Sequence, residues 1–144
     1  MVLNRNLHKE CYYSFMKTYT GGCHCGHVKF EAQIDLENEK VIECDCSHCY
    51  KKGFVLSFIP ASSFKLMLDG EVADVLSEEL SGLTEYLFNK KWIHHMFCST
   101  CGVQAYGHAL EPKSGEQTVA VNLRCVDDLD FSTLSITKFN GKDL

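Results

Sequence analysis

The chain has 144 residues, of which 45% are hydrophobic and 23% charged, with a formal net charge of −5. These values predict one soluble globular domain that buries its own core, and they exclude wholesale disorder. The acidic balance argues against a nucleic-acid partner, because phosphate neutralisation needs a basic face. No apolar run approaches the ~20 residues of a membrane span, and the N-terminus lacks a secretory signal pattern, so a cytoplasmic location is expected.

Short strand patterns follow one another along the chain. Apolar and polar residues alternate cleanly over 27–34, which is typical of a half-buried strand. Over 118–126 the alternation puts Val119, Val121, Leu123 and Cys125 on one apolar face. The segments predicted as strands are 27–34, 54–59, 63–68, 83–89, 103–109 and 118–126.

Helical signals are weaker. We expect a turn at Pro60–Ser63, a helix over 72–80 and a short helix around 127–134. Short strands separated by turns indicate a mainly β domain, with the cysteine motifs at strand ends and turns.

Nine cysteines are the most distinctive feature of the composition. Thiols stay reduced in the cytosol and the count is odd, so metal binding is favoured over a disulfide framework. Iron–sulfur ligation is a further option for seven cysteines, but the glycines beside the motifs favour zinc. Cys11 is interpreted as incidental. The other motif cysteines form three groups: Cys23 and Cys25 in "GGCHCG", Cys44, Cys46 and Cys49 in "CDCSHC", and Cys98 and Cys101 in "CSTCG".

The first and third groups together supply four thiolates, the number that a closed structural zinc site requires. A glycine after each motif permits the tight turn, often at positive φ, that brings two sulfurs onto one ion. We therefore predict a structural zinc site at Cys23, Cys25, Cys98 and Cys101 that joins two sheets and contributes directly to folding.

The second group, Cys44, Cys46 and Cys49, is one ligand short, and an exchangeable fourth position is typical of a catalytic or ligand-binding zinc. An exchange of cysteine pairs between the groups is an alternative. Cys125 is interpreted as a core thiol because of its apolar face. Residues that could instead close the site are Cys125, His48, His94 and His95.

These motifs together resemble the glutathione-dependent formaldehyde-activating enzyme family, which includes the centromere protein V relatives. The resemblance runs from about Gly21 to near the C-terminus. It rests on the segments "GGCHCGHVKFE", "CDCSHC", "FKLMLDG", "LTEYLF", "FCSTCG", "VAVNLRCVDD" and "FNGKD". Val103 and the pair His94/His95 depart from what is common in the family.

The resemblance implies a β-tent type fold of short antiparallel sheets, stapled by the four-cysteine zinc site. It also implies a second zinc at Cys44, Cys46 and Cys49 near a glutathione site, hence two zinc ions per chain. The expected domain is a single zinc-binding unit over 1–144, with 1–18 as an extension and a core of about 19–142. The implied activity is that of a carbon–sulfur lyase joining glutathione thiol to formaldehyde or a related small aldehyde, S-hydroxymethylglutathione being the product.

In this hypothesis the substrate's own sulfur fills the fourth position of the second site. His48 or His95 is a candidate proton donor, since histidine titrates near neutral pH. Lys51 and Arg124 are candidates for binding the anionic glutathione. Two other functions are considered: a non-catalytic glutathione or thiol carrier, and a two-zinc protein-interaction module with a closed second site.

Overall fold

The computed structural model describes residues 16–143, whose strands form two sheets. The strands are β1 Lys17–Gly22, β2 Val28–Ile34, β3 Val41–Cys44, β4 Leu56–Pro60, β5 Phe64–Leu68, β6 Glu71–Ala73, β7 Leu83–Tyr86, β8 Ile93–Cys98, β9 Tyr106–Leu110, β10 Gln117–Asn122 and β11 Ile136–Phe139. The helix α1 covers Ser47–Lys52. The mainly β prediction is confirmed. β1 already begins within the stretch predicted as an N-terminal extension.

The smaller sheet has four antiparallel strands in the order β1-β2-β5-β6. β2 alternates buried and more exposed positions, and its inward residues Val28, Phe30, Ala32 and Ile34 are almost fully buried. The alternation in the sequence predicted this strand because side chains on a strand point to opposite faces in turn.

The larger sheet has seven strands in the order β11-β3-β4-β10-β9-β8-β7. Its pairings among the described residues are antiparallel apart from β11 with β3, which is parallel. A parallel pair cannot be joined by a tight hairpin, so β11 returns from far along the chain to lie beside β3. The prediction of antiparallel sheets missed this pair.

The two faces of the larger sheet have different surroundings. On one face Ile59, Val119, Val121 and Met96 join the hydrophobic core. Tyr106 lies on this face and its ring centroid is 5.2 Å from that of Phe64 in the smaller sheet. The two sheets therefore pack together through this face, and the opposite face is left available for a cavity.

The helical predictions had mixed outcomes. The turn predicted at Pro60–Ser63 is a 3-10 turn over Ala61–Ser63, and the segment around 127–134 contains another over Phe131–Thr133. The helix predicted over 72–80 is wrong. There β6 ends at Ala73, and the Asp74 carboxylate accepts a hydrogen bond from the N–H of Leu76, which stabilises a turn instead.

The helix α1 was not predicted because six residues are too few to show helical periodicity. The Cys46 side chain accepts a hydrogen bond from the N–H of Cys49 at its start, and Gly53 ends it with a left-handed φ of 67°. Within residues 16–143, no helix has the length and apolar character that crossing a membrane would require.

Candidate metal centres and the cavity beside them

The four-cysteine cluster, Cys23, Cys25, Cys98 and Cys101, brings the two sheets together. Its sulfur atoms all lie within 4.8 Å of one another, with Sγ–Sγ distances of 3.6 Å from Cys25 to both Cys23 and Cys98. Cys23 follows β1 in the smaller sheet, whereas Cys98 ends β8 in the larger sheet and is fully buried. The grouping is the one that the sequence predicted, and the alternative exchange of pairs is not observed.

Local backbone geometry favours cation binding by this cluster. Gly26 and Gly102 have φ values of 87° and 77°, in the left-handed region that favours glycine. The Val28 N–H donates to Cys23 Sγ at 3.3 Å. Burial opposes ionisation of Cys101, but the N–H groups of Val103 and Cys25 lower the pKa of its thiol to about 6. Four thiols with N–H donors around them fit a zinc ion.

The three-cysteine cluster, Cys44, Cys46 and Cys49, is built from the end of β3 and the first turn of α1. The N–H of Cys46 donates to Cys44 Sγ at 3.4 Å, and the N–H of Cys49 donates to Cys46 Sγ at 3.3 Å. From residue 16 to residue 143, no histidine or carboxylate brings a ligand atom close enough to join the cluster. The predicted shortage of one ligand is therefore present in the described part of the chain.

Ionisation differs among the three thiols. Burial and the neighbouring thiol of Cys46 raise the pKa of Cys49. Burial also acts to raise the pKa of Cys46, but the N–H of Cys49 and the adjacent thiols outweigh it, and its pKa is lowered. Cys46 is consequently the thiol that this backbone most favours as a thiolate ligand. An all-sulfur donor set fits a soft or borderline cation such as zinc.

The C-terminal segment covers the three-cysteine cluster. The N–H of Asp45 donates to the Phe139 carbonyl at 3.1 Å, and the N–H of Lys142 donates to the Asp45 carboxylate at 3.1 Å. A Cβ atom added at Gly141 would collide with Cys44 Sγ. A glycine is thus required at this position of "FNGKD" by close approach to the sulfur.

A cavity of about 840 Å³ opens beside the three-cysteine cluster, and all three of its cysteines line it. Its floor is the face of the larger sheet that points away from the core. The loop between β7 and β8 contributes Phe88, Lys90 and Trp92 to the wall. Asn89 and Lys91 in this loop have left-handed φ values of 54° and 59°, so the loop is sharply turned.

His48 and His95 meet in the wall of this cavity, with ring centroids 4.2 Å apart. Phe88 lies 5.1 Å from each ring. Burial lowers the pKa of His95 to about 4, and burial followed by the charge of Lys52 lowers the pKa of His48. Both imidazoles are therefore neutral at neutral pH. Both ring nitrogens of His48 are buried, and no residue between 16 and 143 forms a hydrogen bond with them.

The other candidates lie elsewhere. Lys51 is exposed and does not line the cavity. Arg124 also lies outside the lining; its Nε donates to the Gly53 carbonyl at 2.9 Å, and its guanidinium stacks over Phe131. His94 is paired with Glu85 at 2.7 Å and does not join the cluster. Cys125 is half-buried in a 3-10 turn, where burial raises its pKa to about 11.

Lys90 is the one lysine or arginine in the described lining of the cavity, and it was not among the binding residues predicted from the sequence. The available signal was a pair of lysines shortly before the "FCSTCG" motif. Lysine pairs on loops are usually surface charge, so sequence alone did not distinguish Lys90 from Lys51.

Two comparisons with known proteins bear on this site. The family model described as glutathione-dependent formaldehyde-activating enzyme matches residues 18–139. A crystal structure of a Rhodobacter sphaeroides protein, solved as a structural genomics target, is similar with a TM-score of 0.62 and 23% identity. The match covers 82% of this chain and 99% of that one. At this identity the second likeness supports the fold alone.

Proposed function

The chain belongs to the glutathione-dependent formaldehyde-activating enzyme family, and from this premise we propose that it is a carbon–sulfur lyase-type enzyme that condenses glutathione with a small aldehyde. Formaldehyde is the aldehyde named by the family, and S-hydroxymethylglutathione would be the product. We place the reaction in the cytoplasm, where thiols remain reduced.

The opening of the three-cysteine cluster onto the large cavity carries this proposal. A purely structural module would be expected to close its second metal site with a fourth protein ligand. Here the described residues provide three thiols and a space of about 840 Å³ next to them. That arrangement suits a small-molecule thiol entering from the cavity.

Two metal ions fit the chain's own donor sets. In the proposal Cys23, Cys25, Cys98 and Cys101 hold a structural zinc. A zinc ion held by Cys44, Cys46 and Cys49 would favour the thiolate form of an incoming thiol, as bound cations do for their ligands.

The neutral histidine pair can carry the proton that the reaction moves. The thiol loses a proton as its sulfur attacks the carbonyl carbon, and the carbonyl oxygen gains one as its π bond breaks. A neutral imidazole of His48 or His95 can accept the first proton and return it to the oxygen, so protons balance. The lowered pKa values favour the accepting form before the attack.

Lys90 is the cation that the cavity offers to a glutathione carboxylate. Because it is exposed on a loop, its contribution is limited by solvent screening. We propose it in addition to Lys51 and Arg124, which lie outside the cavity lining.

The direct test compares product formation from glutathione and formaldehyde with purified, metal-replete protein and with buffer alone. The rate should rise in proportion to protein concentration. Lys90→Gln should raise the KM for glutathione about fivefold, the effect of losing an exposed ion pair of ~1 kcal/mol. Lys113→Gln, an exposed lysine in the β9–β10 turn, is the matched control. Glutathione binding without any acceleration would instead identify a carrier.

A further inference from the structure

We propose that the aldehyde taken by this site carries an apolar group, an alkyl chain or an aromatic ring, which occupies the cavity beside the three-cysteine cluster. The inference rests on the proposed function and specifies its substrate class. It follows from the shape of the cavity floor, the chemistry of its walls and the poor match of formaldehyde to both.

The floor of the cavity is a basin in the sheet. Strand register places four residues in one row across β4, β10, β9 and β8: Phe58, Ala120, Gly107 and His95. The two middle positions have the smallest side chains, whereas Phe58 and His95 rise at either end. The space therefore comes from the choice of residues at Gly107 and Ala120 on an otherwise regular sheet.

The walls are mainly apolar. Leu56 and Phe54 line the interior, and large apolar side chains stand at the mouth with substantial exposure: 44% for Phe58, 42% for Trp92 and 42% for Ile93. Contiguous exposed apolar side chains around a concave site are typical of ligand-binding surfaces.

Formaldehyde and glutathione together match this surface poorly. Formaldehyde has two non-hydrogen atoms, while a cavity of about 840 Å³ is in the upper part of the ~300–1,000 Å³ range for drug-sized ligands. The carboxylates and amides of glutathione need polar partners. Among the described lining residues Lys90 is the one charged side chain. The uncharged polar ones are fewer than the apolar ones, so much of the wall would desolvate glutathione's polar groups without compensation; they are His48, Asn89, His95, Gln104, Tyr106 and Asn122.

An apolar group on the aldehyde would match the apolar part of the wall and fill space that formaldehyde leaves empty. Its carbonyl would lie towards Cys46 and the histidine pair, and its hydrocarbon part would cover Ala120 and Gly107 between Phe58 and Trp92. The chemistry is unchanged: a carbon–sulfur bond forms, the carbonyl π bond breaks, and the thiol proton ends on the oxygen. No oxidant or reductant is required.

Trp92 provides a direct test because it is the one tryptophan of the chain and lines the cavity. Straight-chain alcohols from ethanol to hexanol mimic the aldehydes but cannot react. Titration of the metal-replete protein, followed by Trp92 fluorescence, should show binding that tightens about fourfold per added methylene. In parallel, kcat/KM with glutathione should rise from formaldehyde to hexanal.

Ala120→Leu fills the basin and should abolish the dependence of alcohol binding and of kcat/KM on chain length. Ala109→Leu is the matched control, since it lies two residues along β9 from Gly107 and outside the lining. Phe58→Ser, at the exposed mouth, serves as a second variant if Ala120→Leu does not fold. It should reduce the gain in alcohol affinity per added methylene by about half.

Formaldehyde turnover with no chain-length dependence and no alcohol binding would overturn this inference and leave the proposed function intact. Alcohol binding with the expected dependence, but no reaction of any aldehyde, would support the apolar site and contradict the proposed enzyme.

Discussion

The two cysteine clusters use the same ligand chemistry in opposite ways. The four-cysteine cluster joins residues up to 78 positions apart in sequence, from Cys23 to Cys101, and it links both sheets. The three-cysteine cluster is confined to six residues and borders a cavity. Long separation and a complete ligand set suit a cross-link, whereas a local and incomplete set suits exchange of a ligand.

This difference means that stability and activity should depend on separate cysteines. A metal ion in the four-cysteine cluster would add a cross-link to the hydrophobic contact between the two sheets. The three-cysteine cluster lies on β3 and α1, and the contact between the two sheets does not depend on it. The same cysteine-to-serine substitution should therefore have different consequences in the two clusters.

The largest effect is expected from Cys98→Ser. Cys98 is buried between the sheets, and structural zinc sites have apparent binding free energies of roughly 10–16 kcal/mol. The variant should lose its cooperative thermal unfolding transition, as measured by circular dichroism. A transition within a few degrees of the unmodified protein would show that the four-cysteine cluster is not the cross-link described above.

The matched change in the other cluster, Cys46→Ser, should leave the protein folded. We expect loss of one metal equivalent in elemental analysis and about 100-fold lower activity, because the thiol most favoured as a thiolate is gone. Simultaneous loss of both metals would contradict the independence of the two sites.

A smaller effect is expected from His95→Gln as the pH falls. The folded protein holds His95 neutral with a pKa of about 4, while the unfolded chain binds a proton near pH 6.5. Below pH 6.5 the unfolded state therefore takes up more protons, so the stability that His95 contributes is present above that pH and is lost towards pH 4. Between pH 7 and pH 4.5, the difference in unfolding free energy between the unmodified protein and His95→Gln should therefore narrow by about 2 kcal/mol.

Denaturant titrations at pH 7 and pH 4.5 measure this change. The control is His24→Gln beside the four-cysteine cluster, where the side chain is exposed. Equal narrowing in both variants would mean that acid acts on the two regions alike.

The partition of the cysteines could be predicted from the sequence because ligand number and motif spacing are local properties. The strands with strong alternation, such as β2, could be predicted for the same reason. The features of the site that could not be predicted depend on contacts between residues distant in sequence. The row from Phe58 to His95 exists only after four strands are in register, and the contact of His48 with His95 joins residues on α1 and β8.

Lys90 illustrates the same limit. Its charge is evident in the sequence, but its place in the cavity depends on the left-handed turns at Asn89 and Lys91. Asparagine tolerates that backbone conformation well and lysine does so less readily, so sequence alone gave no reason to expect two such turns in one loop.

The parallel pairing of β11 with β3 means that the three-cysteine cluster is completed by a segment made at the end of synthesis. On the ribosome, the four-cysteine cluster has all its ligands once Cys101 has emerged. The three-cysteine cluster receives Gly141 and the contacts of Asp45 with Phe139 and Lys142 only about 95 residues after its own cysteines have been made. The ligands of the four-cysteine cluster are therefore complete 40 residues before Gly141 is made, from Cys101 to Gly141. A metal bound there would cross-link the nascent chain while Cys44, Cys46 and Cys49 are still accessible to oxidants and competing metals.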